Sequence, residues 1–256
     1  MRFFSRRIHK AVSTLDTVQI SEQNGVRCLH LGDDAIQSAM RLSAPNDLEL
    51  SYTQAMMGFL LFGDVPDNAL LIGLGGGSVA KFLYHQFPQM ELCAVDNHPE
   101  VIKAAYQYFH LPRDEQRLNI VQTDAAENIV HQRNWDSIFL DGFDAHCQVD
   151  ALATEIFYRQ CRDALSQQGV LSINLWGSDK LFGQYCQRIE LAFEGRTLKL
   201  PAEKYGNVIV FAFNAQPKFQ SLRQLKFRAT ALETQLKLPF TRFLDNILPS
   251  AEWLLA

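Results

Sequence analysis

Four acidic residues stand where apolar runs of this chain end. Asp96 closes ELCAVD (91–96), Asp124 follows LNIVQT (118–123), Asp141 falls in SIFLDG (137–142), and Asp144 comes one turn later. A further apolar run, ALLIGL (69–74), leads into Gly73-Leu74-Gly75-Gly76-Gly77-Ser78. Residues without a Cβ let a backbone turn tightly and lie against a ligand, and a helix that starts there presents unpaired N–H groups. Asp96 lies 21 residues after Gly75, the separation at which a carboxylate accepts hydrogen bonds from ribose hydroxyls. The glycines do not follow GxGxxG, and GxxxxGK[ST] is absent. The sequence therefore points to a nucleoside rather than to a pyrophosphate. Several carboxylates at one crevice repel phosphates and suit a cation. A sulfonium nucleoside with an amine acceptor meets that requirement.

Such residues must be held by a common frame. The runs 69–74, 91–96, 118–123 and 137–142, completed by VLSINLW (170–176), have helical segments between consecutive members. Strands joined by helical crossovers predict a doubly wound parallel sheet, whose ligands sit beyond the carboxyl ends of the strands. Ahead of it, two β-like runs flank Gln23-Asn24-Gly25, a strong hairpin signal, and a turn at Gly32-Asp33-Asp34 leads to a third short strand. SYTQAMMGFLLFG (51–63) has helical apolar spacing, as does the stretch after Pro217. We therefore expect a small N-terminal β-hairpin domain over 1–50 and a Rossmann-like nucleoside-binding domain over 51–256. The basic start, MRFFSRRIHKAVSTL, reads as a solvated arm. A net charge of −4 gives no reason to expect a nucleic-acid partner, and no apolar run is long enough to predict a membrane span. The five cysteines form no CxxC pair, which predicts neither a metal site nor a disulfide framework and fits the cytoplasm.

The motifs together resemble the spermidine synthase family of aminopropyltransferases, which share the fold of class I AdoMet-dependent methyltransferases. The family's LDGxxQ is similar to the segment Leu31 to Gln37, its YHE to Tyr52-Thr53-Gln54, and its GGGDGG to Gly75-Gly76-Gly77-Ser78. Its acidic ribose ligand matches Asp96, and its GDG, which holds the adenine amino group, resembles Thr123-Asp124-Ala125. Its DxxD followed by LFTxxFY is similar to Asp141-Gly142-Phe143-Asp144 and the segment Leu152 to Tyr158. The resemblance implies transfer of an aminopropyl group from decarboxylated AdoMet to a polyamine such as putrescine, without a metal, in a homodimer. Asp141 would accept the proton with Tyr52 assisting, while Asp144 and Gln37 would bind substrate. Gly73, Gly75, Gly76, Gly77, Ser78, Asp96, Asp124 and Ala125 would hold the donor.

The departures bear on the donor. With Ser78 matched to the aspartate of GGGDGG, the partner of the donor's ammonium is missing, and a neutral group at a helix N-terminus tolerates the carboxylate of AdoMet itself. Methyl transfer to a small amine is the alternative reaction. A non-catalytic nucleoside-binding homologue is the alternative of a different class, and retention of Asp141 and Asp144 speaks against it. His146, beside Asp144, reads as an ordinary loop residue.

Overall fold

The computed structural model describes residues 6–12, 15–142, 149–204, 206–217 and 221–255. The chain opens with four antiparallel strands in the order β1 (Arg6–Val12), β2 (Thr17–Gln23), β3 (Val26–Leu31) and β4 (Ser38–Arg41). Asn24 and Gly25 form the β2–β3 turn with φ of 53° and 74°. Two consecutive left-handed residues match the twist of a two-residue hairpin, and the ladder starts directly at the Gln23–Val26 pair. Of the expected solvated arm, Arg6–Val12 form β1, paired along β2. Its pattern is weak because it buries little: Val12 is 76% exposed, and beside the main-chain pairing, Ile8 and the His9 ring, set against Tyr108, pack inward.

The rest alternates around a second sheet. Helix α1 (Ser51–Met56) continues as a 3-10 turn (Met57–Leu61), so the helical spacing of 51–63 splits into two geometries. Then follow β5 (Asn68–Ile72), α2 (Ser78–Gln86), β6 (Glu91–Asp96), α3 (Pro99–Tyr108), β7 (Leu118–Gln122), a single turn α4 (Ala125–Asn128) and β8 (Trp135–Leu140). After them come α5 (Glu155–Ala164), β9 (Leu165–Trp176), α6 (Phe182–Ala192), β10 (Thr197–Pro201), β11 (Asn207–Phe213), α7 (Leu222–Leu236) and α8 (Phe240–Ile247).

The seven strands lie in the order β10-β11-β9-β8-β5-β6-β7. β5 to β9 are parallel as expected. β10 and β11, which the sequence pattern left unassigned, extend the sheet antiparallel. Side chains alternate across it. Leu70, Ile72, Ile138 and Leu140 meet Phe157 and Tyr158 of α5 and Ile189 of α6. Leu71, Phe139 and Phe211 join Phe59, Leu60, Phe240 and Leu244 on the other face. Each such side chain removed from water contributes about 1.5–3 kcal/mol.

The small sheet shares its apolar cluster with α3. Val18, Ile20, Leu29 and Met40 pack on Val101, Ala104 and Phe109 of α3 and its end. The buried Lys81 of α2 ties these parts together, donating to the carbonyls of Pro45 and Phe109 at 2.7 Å each. This docking brings the Leu31–Ser38 connection over the carboxyl ends of β5 and β8, where the strand order reverses.

Candidate active site

A crevice of about 510 Å³ opens at that reversal. Gly73, Gly75, Asp96, Thr123, Asp124, Ala125 and Asp141 line it from the sheet, and Gln37 and Ser38 from the N-terminal segment. Two strand ends meet closely at its floor. Gly73 (φ 91°) donates its N–H to Val95, and Asp141 donates its N–H to Ile72, at 2.9 Å each. A Cβ on Gly73 would stand 2.3 Å from the Asp141 carbonyl oxygen, so only glycine allows this approach.

Asp96 braces the glycine turn. Its Oδ2 accepts from the Leu74 N–H and its Oδ1 from the His98 N–H, both at 2.9 Å. Burial raises its carboxyl above the ordinary aspartate range, opposed mainly by those two N–H groups. Each oxygen keeps lone-pair capacity for a hydroxyl. Asp124 does two things at once: it lines the crevice and caps α4, accepting from the Ala126 N–H at 2.7 Å.

Asp141 is held on both sides. Asn174 of β9 donates Nδ2–H to its Oδ1 at 2.8 Å, and the Tyr52 hydroxyl of α1 lies 3.1 Å from its Oδ2. That hydroxyl is equally 3.1 Å from the Gln37 carbonyl, so one proton has two acceptors. Burial pushes the Asp141 carboxyl up, and the bonds from Asn174 and Tyr52 pull it down. Tyr52 is raised well above the usual phenol range by burial and by the Asp141 charge beside it, and so stays a donor.

Three of the expected donor residues, Gly76, Gly77 and Ser78, do not line this crevice; Ser78 lines a smaller cavity beside it with Tyr52 and Asp141. The Gly76 N–H is taken by the Ser38 hydroxyl at 2.8 Å, and a Cβ there would meet Phe109 at 2.9 Å and Ser38 at 3.0 Å. A Cβ on Gly77 would come 2.7 Å from Leu111. Ser78 is the first residue of α2; its hydroxyl gives α2 no cap and points to the Ala39 carbonyl, 3.4 Å away. Positive φ at Gly73, Gly75 and Gly77 sets the register of the turn. Set six residues against six from Gly73, the aspartate of GGGDGG falls on Gly76 and not on Ser78.

Asp144 and His146 lie outside the described residues. Sequence reasoning missed Ser38, His98 and Asn174. Asn174 carried a readable signal: a lone amide in VLSINLW, inside a buried strand, requires a polar partner. Among the described residues no cluster of His, Cys, Asp and Glu could hold a metal ion, and no helix is long and apolar enough to cross a membrane.

The spermine/spermidine synthase domain matches residues 49–201. A polyamine aminopropyltransferase of Neisseria meningitidis is 44% identical over 94% of this chain and 93% of that protein. One from Chromobacterium violaceum is 43% identical over 96% and 95%. Among solved structures, a probable spermidine synthase from Corynebacterium glutamicum superposes with a TM-score of 0.72 at 17% identity, covering 89% of this chain and 86% of that one. A spermidine synthase bound to the transition-state analogue AdoDATO gives 0.68 at 20% identity, covering 91% and 89%. Human methyltransferase-like protein 13 with SAH gives 0.62 at 23%, covering 73% and 89%. These structures share the fold seen here. The domain match and the two bacterial relatives, which align along nearly their full length, place this chain in the spermine/spermidine synthase family.

Proposed function

We propose that the crevice transfers an aminopropyl group from decarboxylated AdoMet to a small aliphatic diamine such as putrescine. The observation that carries this reading is Asp141, held by Tyr52 and Asn174 at the floor of a crevice that also presents Asp96. Asp96 suits the ribose hydroxyls of the donor. Asp124 and Ala125, one strand further along, suit its base, and Gln37 closes the crevice from the N-terminal segment. The assignment of Asp144 to the distal ammonium of the acceptor is carried by the family resemblance, as is a homodimeric assembly.

In the reaction, the acceptor ammonium gives a proton to Asp141. The freed nitrogen lone pair attacks the carbon next to the sulfonium, and the C–S electron pair leaves on sulfur as a neutral thioether. An ordinary alkylammonium holds its proton to a pH of about 10. Two effects narrow the gap to a carboxylate: burial and the adjacent sulfonium disfavour the ammonium, and burial raises Asp141. Tyr52 lets the base change charge without moving the backbone. Its proton faces Asp141 when the carboxylate is ionised, and turns to the Gln37 carbonyl when Asp141 is protonated.

Methyl transfer from AdoMet remains the second reading, favoured by one feature. Gly76 stands where the motif has its aspartate, and no side chain fits there without displacing Phe109 or Ser38. The glycine turn thus brings no carboxylate to repel that of AdoMet. Incubation with each donor and putrescine, with products identified by mass, separates the two. A gain of one aminopropyl unit supports the first reading, and a gain of one methyl replaces it.

Binding of the donor nucleoside has its own test. Methylthioadenosine at about 100 times its Kd adds about 2.7 kcal/mol of stability, a rise in Tm of roughly 5–10 °C for a chain of this size. Asp96→Ala should lose most of that rise, measured from its own unliganded baseline. An undiminished rise would remove Asp96 from the nucleoside site.

A further inference from the structure

The amide of Asn174 touches Asp141 with one edge and Asn207 with the other. Its Oδ1 accepts from Asn207 Nδ2 at 3.0 Å, and it is only 2% exposed. An ionised carboxylate only accepts hydrogen bonds. Asp141 therefore demands the NH2 edge of Asn174, which leaves the carbonyl edge toward Asn207, and Asn207 must offer its own NH2. The two edges of a side-chain amide have nearly the same shape and opposite polarity. Packing alone does not choose between them; a hydrogen bond does. Asn207 opens β11 and is fixed by the ladder opposite Trp176, with its carbonyl accepting from the Ala202 N–H at 2.8 Å. Tyr52 cannot supply the same constraint, because its proton has a second acceptor in the Gln37 carbonyl.

We propose that Asn207 is a positioning residue for proton transfer: it locks Asn174 with its NH2 edge toward Asp141, and so keeps the base ionised and aimed into the crevice. This rests on reading Asp141 as the proton acceptor. The groups on Asp141 itself are Tyr52 from α1 and Asn174 from β9. Among the described residues, the other ionisable groups lining the crevice are Asp16, Asp96, His98 and Asp124.

The test compares Asn207→Asp and Asn207→Leu in the full chain, with decarboxylated AdoMet and putrescine as substrates. An aspartate at 207 faces the Asn174 oxygen with a second acceptor, so two carboxylates compete for the one NH2 edge of Asn174 and Asp141 no longer holds it alone. Turnover should fall about tenfold or more, the scale of a lost bond to a charged group. The acidic limb of the rate profile should move up by about one pH unit, with methylthioadenosine affinity unchanged. Asn207→Leu, which removes the donor and adds no acceptor, should fall between this variant and the wild type.

Carboxyl ¹³C NMR of Asp141 reads the same shift without any turnover. In an Asn174→Leu background, Asn207→Asp should have little further effect, because its action runs through Asn174. A wild-type rate and limb in Asn207→Asp overturns the proposal, as does a shift that persists in full without Asn174. Should Asn207→Asp not fold, the leucine variant decides by the same measurements. If Asp141→Asn keeps full turnover, the reading of Asp141 fails; if only the Asn207 variants are silent, the positioning role alone fails.

Discussion

Asp141→Asn is expected to bind methylthioadenosine as tightly as the wild type and to lose about 10²- to 10³-fold in turnover, the scale of a lost general base. The substitution isolates chemistry because the site can satisfy it. An asparagine at 141 can turn its oxygen to Asn174 and its NH2 to the Tyr52 oxygen, and Tyr52 can then donate to the Gln37 carbonyl. No buried donor or acceptor is stranded, so stability should change by no more than about 1 kcal/mol. The pH dependence follows from the same residue. A protonated carboxyl cannot accept the ammonium proton, so the wild-type rate falls as pH drops through the Asp141 pKa. Burial places that limb above the ordinary aspartate range. The residual rate of the variant should lack it. Full turnover in Asp141→Asn, with donor and acceptor both saturating, would show that another group takes the proton.

The parallel frame was legible because its strands are short apolar runs separated by helical periods, and Asp96 and Asp141 stand where those runs stop. β10 and β11 were harder to read. They form a hairpin inside a stretch where helices were already alternating with strands, and only the ladder to β9 shows their direction. β1 was illegible for another reason: its RRIHKAV buries no residue fully, and backbone pairing leaves no mark on side-chain pattern. The site divided in a similar way. Strand-end acids could be found from position alone. Tyr52, Gln37 and Asn174 converge on Asp141 through contacts 89, 15 and 33 residues apart in sequence for the pairs Tyr52–Asp141, Tyr52–Gln37 and Asn174–Asp141. The family motifs had already marked Tyr52 and Gln37, whereas the Asn174 contact is one that only tertiary structure reports. Ser38 shows the same limit, since nothing in the sequence sets its hydroxyl against the Gly76 N–H.

The serine after the glycines gives the second large effect, and its contacts in the fold favour an outcome other than the one its sequence position suggested. Read as a neighbour of the donor, Ser78→Asp would favour decarboxylated AdoMet over AdoMet by about tenfold. In the fold, that side chain is 9% exposed and its hydroxyl points at the Ala39 carbonyl. A carboxylate there would face an acceptor and lose its water. The first turn of α2 returns about 0.3–1 kcal/mol of attraction to a negative charge. An uncompensated buried ion costs several kcal/mol, so desolvation wins. Ser78→Asp should therefore be destabilised by roughly 2–4 kcal/mol, lowering Tm by about 5–15 °C. The ratio of the two donors' affinities should move by less than about twofold. Thermal melts and paired donor titrations on the two proteins separate the outcomes. A tenfold change in donor ratio with an unchanged melt would return Ser78 to the crevice, and would mean that α2 starts one face away from where the Gly73, Gly75 and Gly77 conformations put it.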